Sequence, residues 1–344
     1  METLPVAVIG VGRMGGHHVR HYAGLEGADL VAVVDGDEAR AASVAQEYGC
    51  RAFPSVEALL AGAPEVRAVS VATPTIAHRP AAETLLRAGV ACLIEKPLAQ
   101  SAEDARAISA LADEKGVVVA VGHTERFNPV VRAMAEMNLA PRFIETHRVS
   151  PMTFRSIDVG VVFDLMIHDL DIVLALANSP LVGVSAVGVN LLGSHEDVCN
   201  ARLEFENGCV ATLTTSRLAL KTERKLRVFA ADAYVSADYG NRTGIVLTAK
   251  DNADRMREIA MRMAAGEDLT GMDWSDVVKA RQLELVEEDP LRAELSEFLN
   301  AVRGEGKPRV DAHAGCAAVE AAERVVTAMG ERLGSGGGPW GGKG

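Results

Sequence analysis

Aromatic rings, cysteines and positive charge are all scarce in this chain of 344 residues. Aromatics make up 4% of it, too few for a surface on which nucleic-acid bases stack. Asp and Glu number 47 against 35 Lys and Arg, a net charge of −12. That balance excludes nucleic acid and anionic membrane as natural partners. The five cysteines (Cys50, Cys92, Cys199, Cys209 and Cys316) are scattered, with no C-x-x-C pair. They read as buried thiols of a cytoplasmic protein, not as disulfides or zinc ligands, and no metal is expected. No apolar run approaches the roughly 18 residues that span a bilayer. The chain goes from Met1-Glu2 almost straight into a strand, which leaves no room for a signal peptide. What is abundant is hydrophobic content, at 48%, enough for sizeable cores, and the length implies two domains.

The first of these opens on Val6 to Ile9, a short β-branched run suited to a buried parallel strand. Gly10-Val-Gly12-Arg13-Met14-Gly15 follows at once, and then a segment free of proline that can be helical. Strand, G-x-G-x-x-G and helix form a dinucleotide fingerprint. Gly10 permits the tight turn, Gly12 lets backbone approach a pyrophosphate, and Gly15 lets helix pack closely on strand. A second apolar run, Leu30 to Val34, ends in Asp35, about 20 residues beyond the fingerprint. A carboxylate there accepts hydrogen bonds from ribose hydroxyls and repels a 2′-phosphate, so the cofactor reads as NAD rather than NADP.

Strand and helix alternate through residue 122. Strands are expected at 66–72, 90–94 and 117–121, and helices at 37–48, 55–61, 77–88 and 102–115. Alternation of this kind implies α/β architecture, a doubly wound parallel Rossmann sheet. After Gly122 the pattern changes. A helix is expected from Asp164 to Leu176, and strand-like runs then follow one another to residue 248, separated by turns such as Asn207-Gly208. They imply an α+β domain with a mostly antiparallel open sheet. The expected boundaries are 1–122 for cofactor binding, 123–333 for substrate binding and oligomerisation, and 334–344 for a disordered Gly-rich tail. Residues 251–280 are rich in Met and charge and have no clear pattern.

Several residues can carry chemistry. Glu95-Lys96-Pro97 follows the strand 90–94, whose carboxyl end faces the ligand crevice of an open α/β sheet. Lys96 would lie near the cofactor there, although a lysine at a strand end is as often simply exposed. Pro97 makes a cis bond accessible. Asp164, His168 and Asp171 share one face of a largely apolar helix at helical spacing. A histidine with a carboxylate one turn away suits a general base, and a satisfied core histidine is the alternative. In Gly122-His-Thr-Glu-Arg126-Phe-Asn128-Pro129, Arg126 and Asn128 can bind a polar substrate or cap the following helix. Arg148 and Arg155 add guanidinium groups suited to an anionic substrate. His17, His18 and His21 crowd the first helix and are better explained by packing or solvent than by metal.

Taken together these residues resemble the Gfo/Idh/MocA oxidoreductases. The fingerprint Gly10–Gly15, Thr73-Pro74 with His78, Glu95-Lys96-Pro97 and Asp164-x-x-x-His168-x-x-Asp171 occur in that family's order. The run from Asp289-Pro290-Leu291 through Glu294 and Phe298 to Val310-Asp311 and Gly315 is similar to its ending. The resemblance implies an NAD-dependent dehydrogenase acting on a sugar or polyol. It implies that Lys96, Asp164 and His168 are catalytic, and that Thr73, Pro74, His78 and Glu95 join the glycines, Arg13, Met14 and Asp35 around the cofactor. It also implies a homodimer or homotetramer built on the open sheet. Within the family, 122–129 and 158–169 look most like the enzymes that oxidise the 3-hydroxyl of UDP-N-acetylglucosamine for a downstream aminotransferase, on the way to amide-linked lipid A. An inositol or free-sugar dehydrogenase, or a non-catalytic NAD-binding regulator, are the alternatives.

Overall fold

The computed structural model describes residues 2–153, 159–192, 194–273 and 278–335. The expected tail at 334–344 lies almost wholly outside the described residues. The chain forms two compact units, one of Met1–Phe127 with Glu288–Glu323 and one of Asn128–Glu287 with the chain from Arg324 onward.

In the first unit, strands β1 (Leu4–Ile9), β2 (Ala28–Val34), β3 (Arg51–Phe53), β4 (Ala68–Val71), β5 (Ala91–Glu95) and β6 (Val119–Gly122) alternate with helices. The helices are α1 (Arg13–Ala23), α2 (Glu38–Tyr48), α3 (Val56–Gly62), α4 (His78–Arg87) and α5 (Ala102–Lys115). Asp37, Ser55 and Ser101 each cap a helix by accepting an N–H three residues on, and Gly49 and Gly116 end α2 and α5 in the left-handed region. The strands pair in parallel in the order β3-β2-β1-β4-β5-β6. This is the doubly wound Rossmann order, with its switch point between β1 and β4. β4 and β5 are buried along their whole length, as strands covered on both faces must be.

In the second unit come α6 (Pro129–Glu136), β7 (Pro141–Val149), a π-helical turn (Val162–Met166) and α7 (Ile167–Ala177). They are followed by β8 (Leu181–Val189), β9 (Val198–Phe205), β10 (Val210–Ser216), β11 (Glu223–Ala230), β12 (Ala233–Asp238), β13 (Thr243–Thr248), α8 (Ala249–Ala264) and β14 (Arg281–Gln282). The sheet runs β14-β13-β12-β11-β7-β10-β9-β8, antiparallel throughout except for the parallel pair β7–β10. Ile144, Leu203, Leu213, Leu226 and Val235 fill its covered face, against which α7 packs.

The last helices are α9 (Pro290–Val302) and α10 (Ala312–Ser335). Residues 288–323 depart from the expected contiguous boundary of 123–333 because α9 completes the Rossmann core. Its Leu291, Leu295, Phe298 and Leu299 join Val6, Val8, Val19 and Tyr22 in one buried cluster. No helix among the described residues is long and apolar enough to cross a membrane.

Candidate active site

The fingerprint works through close approaches of backbone to backbone. Gly10 has φ +81° and donates its N–H to the Val34 carbonyl at 2.7 Å. A Cβ there would lie 2.8–2.9 Å from the backbone of Ala72 and Thr73. A Cβ on Gly15 would fall 1.8 Å from the Gly10 carbonyl oxygen, so only glycine lets α1 sit this close to the turn. Around a Cβ on Gly12 there is open space out to 4 Å, and Gly12 caps the N-terminus of α1, whose first N–H groups point outward. Arg13 is exposed on the first turn of α1, while Met14 leans on the core.

A cavity of about 700 Å³ opens at the switch point, lined among others by Gly10, Gly12, Asp35, Thr73 and Pro74. Its size suits a nucleotide. The Thr73 hydroxyl on its wall is buried with no hydrogen-bond partner among the described atoms, a polar group waiting for a ligand. Open space over Gly12, a carboxylate at the end of β2 and this hydroxyl fit a dinucleotide.

Asp35 is more engaged than its position in the sequence suggests. Its carboxylate accepts the N–H of Val11 and of Asp37, each at 2.9 Å. Arg40, which also lines the cavity, reaches its Oδ2 at 3.4 Å and pairs with Asp37 at 2.9 Å. The carboxylate is thus aimed by backbone and partly neutralised by a guanidinium that sequence reasoning did not single out.

His78 and Glu95 turn inward. His78 is buried, with Nδ1 2.9 Å from the Pro97 carbonyl and Nε2 3.0 Å from the Thr73 carbonyl. Burial pushes its ionisation below the usual imidazole range, although both carbonyls pull the other way. It braces the loops after β4 and β5. The Glu95 carboxylate lies 2.9 Å from buried His18 and against Gly122, where a Cβ would come within 2.9–3.0 Å of it. Both were expected beside the cofactor; Glu95 hydrogen-bonds to His18 and the Lys96 backbone, and His78 to the Pro97 and Thr73 carbonyls. Lys96 stands half-buried just past the end of β5, joined to Pro97 by a cis bond.

In the second unit the helix expected from Asp164 begins differently. Asp164 lies on the π turn and His168 on α7, both half-buried. A π turn inserts an extra residue per turn, so the expected one-face spacing is offset at this point, and such turns recur at functional sites. Asp169 is fully buried and binds Arg148, at 3.1 Å to Nε and 3.0 Å to Nη2. The Tyr239 hydroxyl joins both, and its ring lies 5.3 Å from the guanidinium carbon. Arg148, expected to meet an anionic substrate, is instead spent inside the unit on that carboxylate. Its signal in the sequence was Asp169 itself, an acid on the apolar side of a helix that must find a buried cation.

Asn128 likewise caps α6, accepting the Val130 N–H at 3.1 Å and donating to the Tyr239 carbonyl at 3.0 Å. Of its two readings the helix cap is the one observed. Arg126 closes a short 3-10 turn in the first unit, half-buried. Arg155 lies outside the described residues.

Residues 4–123 match the model described as "Oxidoreductase family, NAD-binding Rossmann fold". Residues 141–236 match "GFO/IDH/MocA C-terminal domain". The UDP-N-acetylglucosamine 3-dehydrogenase of Acidithiobacillus ferrooxidans is 38% identical over 96% of this chain and 98% of its own length. The chain belongs to the Gfo/Idh/MocA oxidoreductase family. A crystal structure of that A. ferrooxidans enzyme superposes with a TM-score of 0.84 over 97% of this chain and 100% of its own, at 36% identity. The inositol 2-dehydrogenase of Rhizobium meliloti is 26% identical over 96% of this chain and 98% of its own length. As a member of this oxidoreductase family the protein takes NAD in its first unit.

Proposed function

We propose that this protein oxidises the 3-hydroxyl of UDP-N-acetylglucosamine to a ketone, with NAD converted to NADH and one proton released. The observation that carries this reading is the 38% identity, end to end, to a UDP-N-acetylglucosamine 3-dehydrogenase. The inositol dehydrogenase, equally well covered, stands at 26%.

Bound NAD supplies the hydride acceptor. The residues suited to hold it are Gly12 and the outward N–H groups of α1 for the pyrophosphate, Asp35 for the adenosine ribose and Thr73 on the opposite wall. His168 takes the hydroxyl proton, since an imidazole is the side chain best matched to proton transfer near neutral pH. Lys96 hydrogen-bonds the oxygen as negative charge develops there, the role of a preorganised donor. Asp164 orients the histidine or the sugar. Arg126 and Arg155 are the remaining candidates for the diphosphate, now that Arg148 is otherwise engaged. His168→Ala and Lys96→Ala each cost about 10²–10⁴-fold in kcat while NADH still binds. Near-normal kcat in both would remove these roles.

The open face of the second sheet supports a homo-oligomer. Phe143, Phe229 and Tyr234 line up along it as tilted neighbours with centroids 5.6 and 4.8 Å apart, bordered by the Glu145–Arg227 pair. A second copy is the natural cover for aromatic rings on an otherwise polar sheet face. The reading places the enzyme in the cytoplasm, ahead of an aminotransferase that leads to amide-linked lipid A. The test combines protein, UDP-N-acetylglucosamine, NAD, a sugar aminotransferase and glutamate. A UDP-linked 3-amino sugar, identified by mass and ring NMR, is the expected product. Its absence, beside brisk oxidation of myo-inositol, would move the protein to the polyol dehydrogenases.

A further inference from the structure

The first unit contains a buried polar chain that the chemistry above does not use. It begins at Tyr22 on α1, whose hydroxyl lies 2.9 Å from Ser70 Oγ on β4. Ser70 Oγ lies 3.0 Å from His18 Nδ1, and His18 Nε2 lies 2.9 Å from Glu95 Oε1. Glu95 Oε2 accepts the backbone N–H of Lys96 at 3.3 Å. His18 and Ser70 are wholly inaccessible, and Tyr22 nearly so. Burying four polar side chains in a Rossmann core is costly unless each is satisfied.

A neutral imidazole satisfies them in one direction only. The carboxylate can only accept, so Nε2 carries the proton. Nδ1 must then accept from Ser70, whose oxygen accepts from Tyr22. Burial keeps the Tyr22 phenol far above its usual ionisation range, so it remains a donor. The chain ends on the carboxylate next to Lys96, which Gly122 backs so closely that no side chain fits between.

We propose that His18 is a positioning residue: through Glu95 it holds the backbone at Lys96, and so aims the lysine at the reacting oxygen. The inference rests on the assignment of Lys96 to the reaction. His18 sits inside the unit on α1 and touches neither substrate nor cofactor. Without its Nε2–H, the buried Glu95 carboxylate is anchored at one oxygen only; it is free to rotate, and its 3.3 Å bond from the Lys96 N–H no longer fixes the backbone there.

The test uses the full-length protein with UDP-N-acetylglucosamine and NAD. His18→Leu keeps the volume and deletes the donor; His18→Gln restores an N–H toward Glu95. The expected result for His18→Leu is a fall in kcat of about tenfold or more, with KM and the Kd for NADH held within about twofold. His18→Gln recovers most of the loss. In a Lys96→Ala background, His18→Leu changes the residual rate by less than about twofold, because its effect passes through the lysine. Loss of NADH binding in step with kcat, or the same fold-loss in both backgrounds, would overturn the proposal and leave His18 a packing residue of α1. If His18→Leu does not fold, Ser70→Ala, which deletes the hydroxyl that donates to Nδ1 and holds the ring in place, must give the same pattern at smaller amplitude or the proposal fails. Undiminished kcat in Lys96→Ala alone would instead remove the assignment of the lysine, an outcome separable from the others.

Discussion

Gly12→Ala and Gly15→Ala are three residues apart and should fail in opposite ways. In Gly15→Ala the new Cβ lies 1.8 Å from the Gly10 carbonyl oxygen, so helix and turn must separate by over an ångström. Overpacking of that kind costs about 1–3 kcal/mol or somewhat more. Alanine in a helix recovers up to about 1 kcal/mol of it. The net is a destabilisation of roughly 1–2 kcal/mol, or about 3–8 °C in Tm for a unit of this size. In Gly12→Ala the Cβ meets open space out to 4 Å, and the backbone, at φ −66°, suits any residue. Stability should therefore stay within about 0.5 kcal/mol. The methyl instead occupies the approach of the pyrophosphate, and the Kd for NADH should rise about tenfold or more, 1.4 kcal/mol. Differential scanning calorimetry and quenching of protein fluorescence by NADH separate the two effects. A Gly12→Ala protein that binds NADH normally, or a Gly15→Ala protein as stable as the parent, would refute the assignment of cradle and contact.

Asp35→Ser should raise kcat/KM for NADP relative to NAD, because it removes a carboxylate and frees Arg40 to meet a 2′-phosphate; Asp35→Ser/Arg40→Ala should lose that gain, and an unchanged ratio in the single variant would contradict the reading. Arg148→Met strands the buried Asp169 and should cost about 3–5 kcal/mol in urea unfolding, with most of it recovered in Arg148→Met/Asp169→Leu. A cost below about 1 kcal/mol would show that the pair is not what holds this helix to β7. Burial holds His78 and His21 below the ordinary imidazole range. The unfolded chain takes up these protons near pH 6.5 and the native chain resists, so stability is present above about pH 6.5 and lost as pH falls below it. The urea midpoint should drop between about pH 7.5 and 5.5, and His78→Gln should flatten the slope; a midpoint that rises on acidification would exclude the effect.

The parts of the fold that were legible in the sequence are those fixed by local rules. Gly10 and Gly15 announce a turn and a helix approach that only glycine permits, and Ser101 with Gly116 brackets α5 to the residue. Alternation read the strands of the second sheet within a few residues, because one face of each is buried. β3, only Arg51–Phe53, is too short and too exposed to leave a pattern. The π turn at Val162–Met166 carries an apolar sequence that reads as ordinary helix. Long-range choices were hidden for a different reason. Arg148 looked like a free cation because its partner, Asp169, is 21 residues away and its neighbour Tyr239 is 91 away. α9 joins the Rossmann core across some 160 residues of intervening chain, and nothing in its own periodicity says which unit its apolar face covers. Asn128 was legible only as a pair of alternatives, since the same amide can cap a helix or bind a sugar.

The central claim is tested most directly by initial rates of NADH formation, followed by absorbance, with UDP-N-acetylglucosamine, free N-acetylglucosamine, myo-inositol and glucose under identical conditions. The account predicts that kcat/KM is highest for UDP-N-acetylglucosamine, and that removing the nucleotide lowers it by more than about tenfold, the loss of one anchored diphosphate contact. A higher kcat/KM for myo-inositol or a free sugar, with UDP-N-acetylglucosamine inert, would contradict it.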